Sequence, residues 1–154
     1  MYKGWNTAGF AAVIEDLALR NIPTLVVSGP EANELNYVQA IVDRNPGQAI
    51  NLAGTLSLSE LAALITQARC FIGLDSVATH ISAAVNTPCV VLFGPSNDKI
   101  WHPWQVPHRI VKTDVSCRPC GLAGCGNSNI SDCLQAISPR LVVDSVLDIL
   151  NEQY

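Results

Sequence analysis

Positive charge is scarce in this chain. Lysine and arginine supply 9 of its 154 residues against 13 aspartates and glutamates, for a formal net charge of −4, and no two of the basic residues are adjacent. This excludes an ordinary nucleic-acid binder, since affinity for a phosphate backbone needs a basic surface. Long apolar runs are missing too. Asp75, His80 and Asn86 interrupt the longest of them, well short of the roughly 20 residues a membrane-spanning helix needs. The opening MYKGWNTAGF lacks the apolar centre of a signal peptide, and no internal repeat or low-complexity tract appears. These absences point to a cytoplasmic protein.

What is present suits a folded α/β domain. Half the chain is hydrophobic (49%) and only 14% is charged, a balance that fits buried strands and is far from a disordered composition. Helix-period and strand-like segments alternate. Apolar residues at Phe10, Val13, Ile14, Leu17 and Leu19 predict a helix over AGFAAVIEDLALRN. A strand, PTLVVSG, follows and meets a turn at Ser28-Gly29-Pro30. NELNYVQAIVDRN reads as a helix and QAINLAG as a strand. Ser57 and Glu60 then have the spacing of a capping box, opening the helix LSELAALITQA. CFIGLD is a strand, SVATHISAAVN a helix and PCVVLFG a strand. The pattern loosens through PSNDKIWHPWQVP, and HRIVK restores a strand. After a cysteine-rich loop, Ser138 as N-cap and Pro139 at the first helical position predict a last helix, RLVVDSVLDILNEQ.

Strands that are apolar throughout, alternating with helices, imply a parallel sheet covered on both faces. The expected architecture is a single doubly wound, Rossmann-like domain over residues 1–154. It opens with a helix where such folds usually open with a strand, which suggests a missing first strand or the second half of something larger.

Ligands of open parallel sheets bind outside the carboxyl ends of the strands. The junctions to inspect are therefore Ser28–Glu31, Ala53–Ser57, Asp75–His80 and Gly94–Asn97. At the third, Asp75 ends a strand and Ser76 is placed to cap the next helix. The first turn of that helix offers free backbone N–H groups and the positive end of its dipole, a ready anion site. His80 lies on the same helix and adds a donor for a bound phosphate. Small residues Ala78, Ser82, Ala83 and Ala84 favour close packing on the sheet. Simple helix capping with a satisfied histidine explains the same residues. A Ser–His–Asp hydrolase fits poorly, because Ser76 lacks the flanking Gly-x-Ser-x-Gly of a nucleophile elbow. Trp101, His102 and Trp104 could cover a strand end or serve as packing anchors.

Six cysteines complete the inventory. Cys70 and Cys89 sit in strand-like runs and read as small buried hydrophobes. Cys117, Cys120, Cys125 and Cys133 cluster with intervals of two, four and seven residues. Tetrahedral zinc in a reduced compartment, disulfides and free thiols all suit four such residues, though the later spacings are not those of common zinc sites.

Four stretches together resemble the C-terminal domain of the family 9 glycosyltransferases, the ADP-heptose:lipopolysaccharide heptosyltransferases. They are KGW at the start, NLAGTLSLSELAALITQAR, IGLDSVATHISAAVNTPCVVLFGPS with WHPW, and the cysteine stretch leading into ISPRLVVDSVLDIL. The resemblance implies a GT-B enzyme, in which this chain is the nucleotide-sugar (donor) domain. An N-terminal acceptor domain, absent here, would supply the catalytic base, so the isolated domain is expected to bind donor without transferring it. It further implies heptose transfer from ADP-heptose to the lipopolysaccharide inner core by an inverting reaction that needs no metal or other cofactor. The partners implied are the nucleotide sugar, the acceptor domain and the core acceptor, at the inner face of the inner membrane.

By the same resemblance Lys3 contacts the diphosphate and Asp75 holds hydroxyls of the transferred sugar. Ser76, the backbone at Val77, and His80 match the phosphate turn. Leu56 lies against adenine and Glu34 binds the ribose. The family usually has Gly or Ala-Pro where this chain has Val77-Ala78, and a β-branched residue leaves less room than glycine. A related transferase with another nucleotide sugar, or a module that binds nucleotide or a partner without catalysis, are the competing expectations.

Overall fold

The computed structural model describes residues 3–152. The chain divides into two compact units, a smaller one of Asn6–Leu61 and a larger one of Ala62 onward together with the segment ending at Trp5.

In the smaller unit, α1 (Thr7–Leu19) is followed by β1 (Thr24–Val26), α2 (Ala32–Val42) and β2 (Ala49–Asn51). Asn6 starts α1: its Oδ1 accepts from the Gly9 N–H at 2.6 Å, taking up one donor that has no intrahelical partner. Val13, Ile14 and Leu17 of α1 and Val38 and Ile41 of α2 are buried, the periodic stripe each helix needs. Phe10 and Tyr37 meet edge to face with centroids 6.4 Å apart. β1 and β2 pair in parallel, Thr24 opposite Ala49. Both strands are shorter than the apolar runs suggest, and Leu25 and Ile50 stay exposed. The capping box forms as read. The Ser57 N–H donates to Glu60 Oε2 at 2.8 Å, and the Glu60 N–H reaches Ser57 Oγ at 3.3 Å. It opens α3 (Leu58–Gln67), along which the chain passes from one unit to the other.

The larger unit is built on β3 (Phe71–Leu74), β4 (Cys89–Leu92) and β5 (His108–Val111), all parallel, in the order β3-β4-β5. β4 is central, and Cys89 through Phe93 are essentially inaccessible, as a strand with both faces covered must be. α4 (Val77–Ala84) packs on β3 and β4, and α7 (Pro139–Asn151) on β4 and β5. The strands therefore fall into a two-stranded and a three-stranded parallel sheet, an α/β arrangement with helices flanking. Ser138 stands at the N-cap of α7 and Pro139 in its first turn, without a side-chain capping bond. Three single-turn elements escape the sequence pattern: α5 (Asp98–Trp101), a 3-10 turn at Cys125–Asn127 and α6 (Asp132–Gln135). One turn is too short to show a period.

Gly73 keeps β3 close to α4. A Cβ there would run into the Phe71 ring and come within 3.2 Å of Thr79 Oγ1. Two buried hydroxyls fasten the far end of α4. Ser82 Oγ donates to Thr87 O at 2.7 Å, and Thr87 Oγ1 to Ile65 O at 2.8 Å. No helix among the described residues is long and apolar enough to cross a membrane.

Candidate functional site

At the carboxyl end of β3 the chain turns through Asp75 and Ser76 into α4. Ser76 is extended (φ −153°, ψ 172°) and its hydroxyl makes no capping bond, so the side chain does not occupy the first-turn N–H groups. The turn is held instead by Thr79, which is buried and donates from Oγ1 to Leu74 O at 2.7 Å. Its role was not evident in the sequence, where a threonine in a helix carries no distinguishing mark.

Lys3 reaches this turn from 72 positions away. Its Nζ lies 2.8 Å from Asp75 Oδ2, with the lysine side chain 40% and the aspartate 10% exposed. The cation is thus set beside a helix N-terminus and a carboxylate, where incoming phosphate oxygens would meet both an ammonium and oriented backbone donors. The entering segment is fixed at two further points. Gln135 Nε2 donates to Gly4 O at 2.7 Å, and Trp5 is buried. Val77 is 64% exposed, so its branched side chain stands on the solvent side of the turn. His80 is also exposed, and its ring meets Trp101 edge on at 6.3 Å.

Glu34 and Leu56 belong to the smaller unit. One carboxylate oxygen of Glu34 accepts from the Gly29 N–H at 2.7 Å, and a Cβ on Gly29 would crowd that oxygen at 2.8 Å. The Gly54 N–H donates to Ser28 O at 3.0 Å, which joins the turns after β1 and β2. Gly54 has φ +69°, and a Cβ there would lie 2.7 Å from the Leu35 side chain. Leu56 is partly buried two residues on.

Beside Lys3 in the larger unit is a cavity of about 410 Å³, lined by Lys3, Ser96, Asn97, Trp101 and the turn 119–121. Next to that turn in sequence is Arg118, whose side chain is 6% exposed. The guanidinium donates to Gly94 O at 2.6 Å and Thr113 O at 3.1 Å, and approaches Asp98 Oδ1 at 3.4 Å. Lys112 Nζ lies 2.6 Å from the other Asp98 oxygen. Burial pushes the Asp98 carboxyl up, but the Lys112 hydrogen bond and the Lys112 and Arg118 charges outweigh it and hold it below the usual range. Arg118 sits inside the cysteine stretch, where the cysteines drew attention away from it.

The four cysteines are not gathered as ligands. Cys117 and Cys120 are exposed, Cys125 partly buried and Cys133 buried, and all four are free thiols. Among the described residues no group of three or more His, Cys, Asp or Glu side chains is placed to hold a metal ion. The segment that carries them runs through a turn, a 3-10 turn and α6. Burial raises the Cys133 thiol, opposed by Arg118 and reinforced by Cys125 and Cys117. Cys70 and Cys89 are pushed up to about 12 and about 11, mainly by burial.

A family model described as "Glycosyltransferase family 9 (heptosyltransferase)" matches residues 1–130. A lipopolysaccharide heptosyltransferase 3 of Escherichia coli is 41% identical over 106 residues, covering 68% of this chain and 31% of that protein. The crystal structure of a family 9 glycosyltransferase from Veillonella parvula superposes with a TM-score of 0.81 at 25% identity, over 97% of this chain and 42% of that one. An ADP-heptose lipopolysaccharide heptosyltransferase II of E. coli shares the fold, with a TM-score of 0.82 at 22% identity over 98% of this chain and 43% of that one. The chain thus spans about a third of the curated heptosyltransferase 3 it matches.

Proposed function

Since the chain belongs to glycosyltransferase family 9, we propose that it is the donor-binding part of a heptosyltransferase that moves heptose from ADP-heptose to the lipopolysaccharide inner core. The observation that carries this reading is the Lys3–Asp75 pair at the mouth of α4. It sets a cation for a diphosphate beside a carboxylate able to accept from sugar hydroxyls. Lys3, the N-terminal N–H groups of α4 and His80 take the diphosphate. Asp75 takes the sugar. Glu34, with one oxygen fixed by Gly29, accepts from ribose hydroxyls, and Leu56 gives the base an apolar face.

In the reaction an acceptor hydroxyl forms a bond to the anomeric carbon as the bond to the diphosphate oxygen breaks, and the electron pair leaves with the nucleoside diphosphate. Lys3 and the helix terminus stabilise that developing negative charge. The proton goes to a carboxylate base supplied by an acceptor domain, so this chain by itself binds donor without turning it over. No metal or other cofactor has a part in the scheme. The protein works at the cytoplasmic face of the inner membrane, where the core acceptor is presented.

A second reading, a related transferase with a different nucleotide sugar, is favoured by one observation. The exposed branched side chain of Val77 stands at the anion turn and narrows the approach to it. Calorimetric titration of the chain with ADP, UDP and GDP separates the two. Preference for ADP is expected. Preference for UDP selects the second reading, and no heat from any of the three at millimolar concentration refutes both.

A further inference from the structure

We propose that the cavity beside Lys3 is a saccharide subsite that seats a polyhydroxylated sugar ring against Trp101. The inference deepens the donor-domain reading and rests on it for the neighbouring diphosphate.

The cavity's size falls within the few hundred cubic ångströms of small-molecule sites. Its chemistry is more selective than its size. Trp101 is 53% exposed, an indole held in water at the cost of leaving apolar surface unburied. Around it stand a hydroxyl from Ser96, an amide from Asn97 and the Lys3 ammonium. One aromatic wall with a rim of hydrogen-bonding groups matches a sugar, which has an apolar C–H face and a polar edge. An inorganic anion makes no use of the indole.

The walls are held by the fold's own hydrogen bonds. Asn97 Oδ1 accepts from the Lys99 N–H at 3.0 Å, so the side-chain NH2 is the group turned to other partners. The backbone N–H of Trp101 donates to Asn97 O at 3.0 Å, and that of Gly121 to Pro95 O at 2.9 Å, which ties the two walls together. Arg118, almost wholly buried, anchors the carbonyl of Gly94 just ahead of them. It is a positioning residue. His80 braces the indole from the side of α4. Because Lys3 both lines the cavity and holds Asp75, a ring seated here lies within reach of a diphosphate at the turn.

Such a ring has two sources, the sugar of the donor or a sugar of the acceptor. Calorimetry on the chain and on Trp101→Ala, with ADP, ADP-heptose and deacylated core oligosaccharide, tells them apart. Loss of affinity confined to ADP-heptose assigns the donor's sugar; loss confined to the oligosaccharide assigns the acceptor's. In either case the expected weakening is about threefold to tenfold, the scale of one aromatic contact. Trp101→Phe should recover part of it, and Trp104→Ala, which does not line the cavity, should recover none because it loses none. A saturating sugar ligand should also slow alkylation of Cys120 in the unaltered chain.

Unchanged affinity of Trp101→Ala for both sugar ligands overturns the inference, as does an equal loss for ADP and ADP-heptose. ADP binding that survives such a result leaves the donor-domain reading standing. If ADP does not bind at all, that reading fails, and the oligosaccharide titration alone decides the subsite.

Discussion

Removing the carboxylate of Asp75 should push two affinities in different directions. Its Oδ2 is 2.8 Å from Lys3 Nζ, so the carboxylate engages the ammonium that a diphosphate would need. The stability at stake is small. With Lys3 40% exposed, the pair resembles the surface ion pairs worth about 0.2–1 kcal/mol, and Asp75→Ala should lower the melting temperature by a few degrees at most. The binding effect is larger. A charged acceptor lost from sugar hydroxyls removes about 1.5–3 kcal/mol, or roughly 10- to 150-fold in affinity. Bare ADP lacks the transferred sugar, and its ribose is assigned to Glu34. It should bind Asp75→Ala as well as the parent or somewhat better, because Lys3 is released and a negative charge beside the phosphates is gone. Calorimetry with ADP and ADP-heptose on parent, Asp75→Ala, Lys3→Ala and the double variant measures these terms, the cycle isolating the pair's coupling. Equal weakening of ADP and ADP-heptose in Asp75→Ala would show that the carboxylate does not touch the sugar.

Further outcomes test the framework around the site. Cys117 and Cys120, both exposed, should react with a thiol-directed disulfide reagent within the native protein. Cys70 and Cys89, raised to about 12 and about 11, should wait for denaturant; rapid native labelling of Cys89 would contradict its burial. Asp98 titrates below its unfolded value of about 3.9. Its contribution is therefore complete above that value and is lost as pH falls through the lower folded one. The urea midpoint of the parent should exceed that of Asp98→Asn at pH 6, and the gap should close toward pH 3. Thr79→Val keeps the shape but removes the donor to Leu74 O, so it should cost about 1 kcal/mol in urea denaturation. A neutral result would mean the turn does not depend on that bond.

How far the sequence alone reaches depends on what each feature leaves in local order. CVVLFG announced a strand buried on both faces, and β4 is that strand. Ser57 and Glu60 spelled out a capping box three residues apart, and both halves of it form. The turn at Asp75 was legible for the same reason, since strand end, cap and small-residue helix are contiguous. Nothing local related Lys3 to Asp75; likeness to a family gave each a separate role, and the structure pairs the two. Arg118 was invisible because its acceptors are backbone carbonyls and a distant aspartate, which leave no spacing to recognise. The cysteines are a different case. Their crowding in sequence is compatible with zinc, disulfides or free thiols alike, and the fold gives the four different exposures. The one-turn helices α5 and α6 are set by tertiary contacts, and a single turn is marginal without them.

The way the chain enters the larger unit bears on how the protein is handled. Lys3 on Asp75, Gly4 held by Gln135 and Trp5 in the core fasten three successive residues. Any bulk carried just ahead of Lys3 is therefore only a few residues along the chain from the contact with Asp75. On the donor-site reading, a purification tag or fluorescent fusion placed there should shift the affinities being measured.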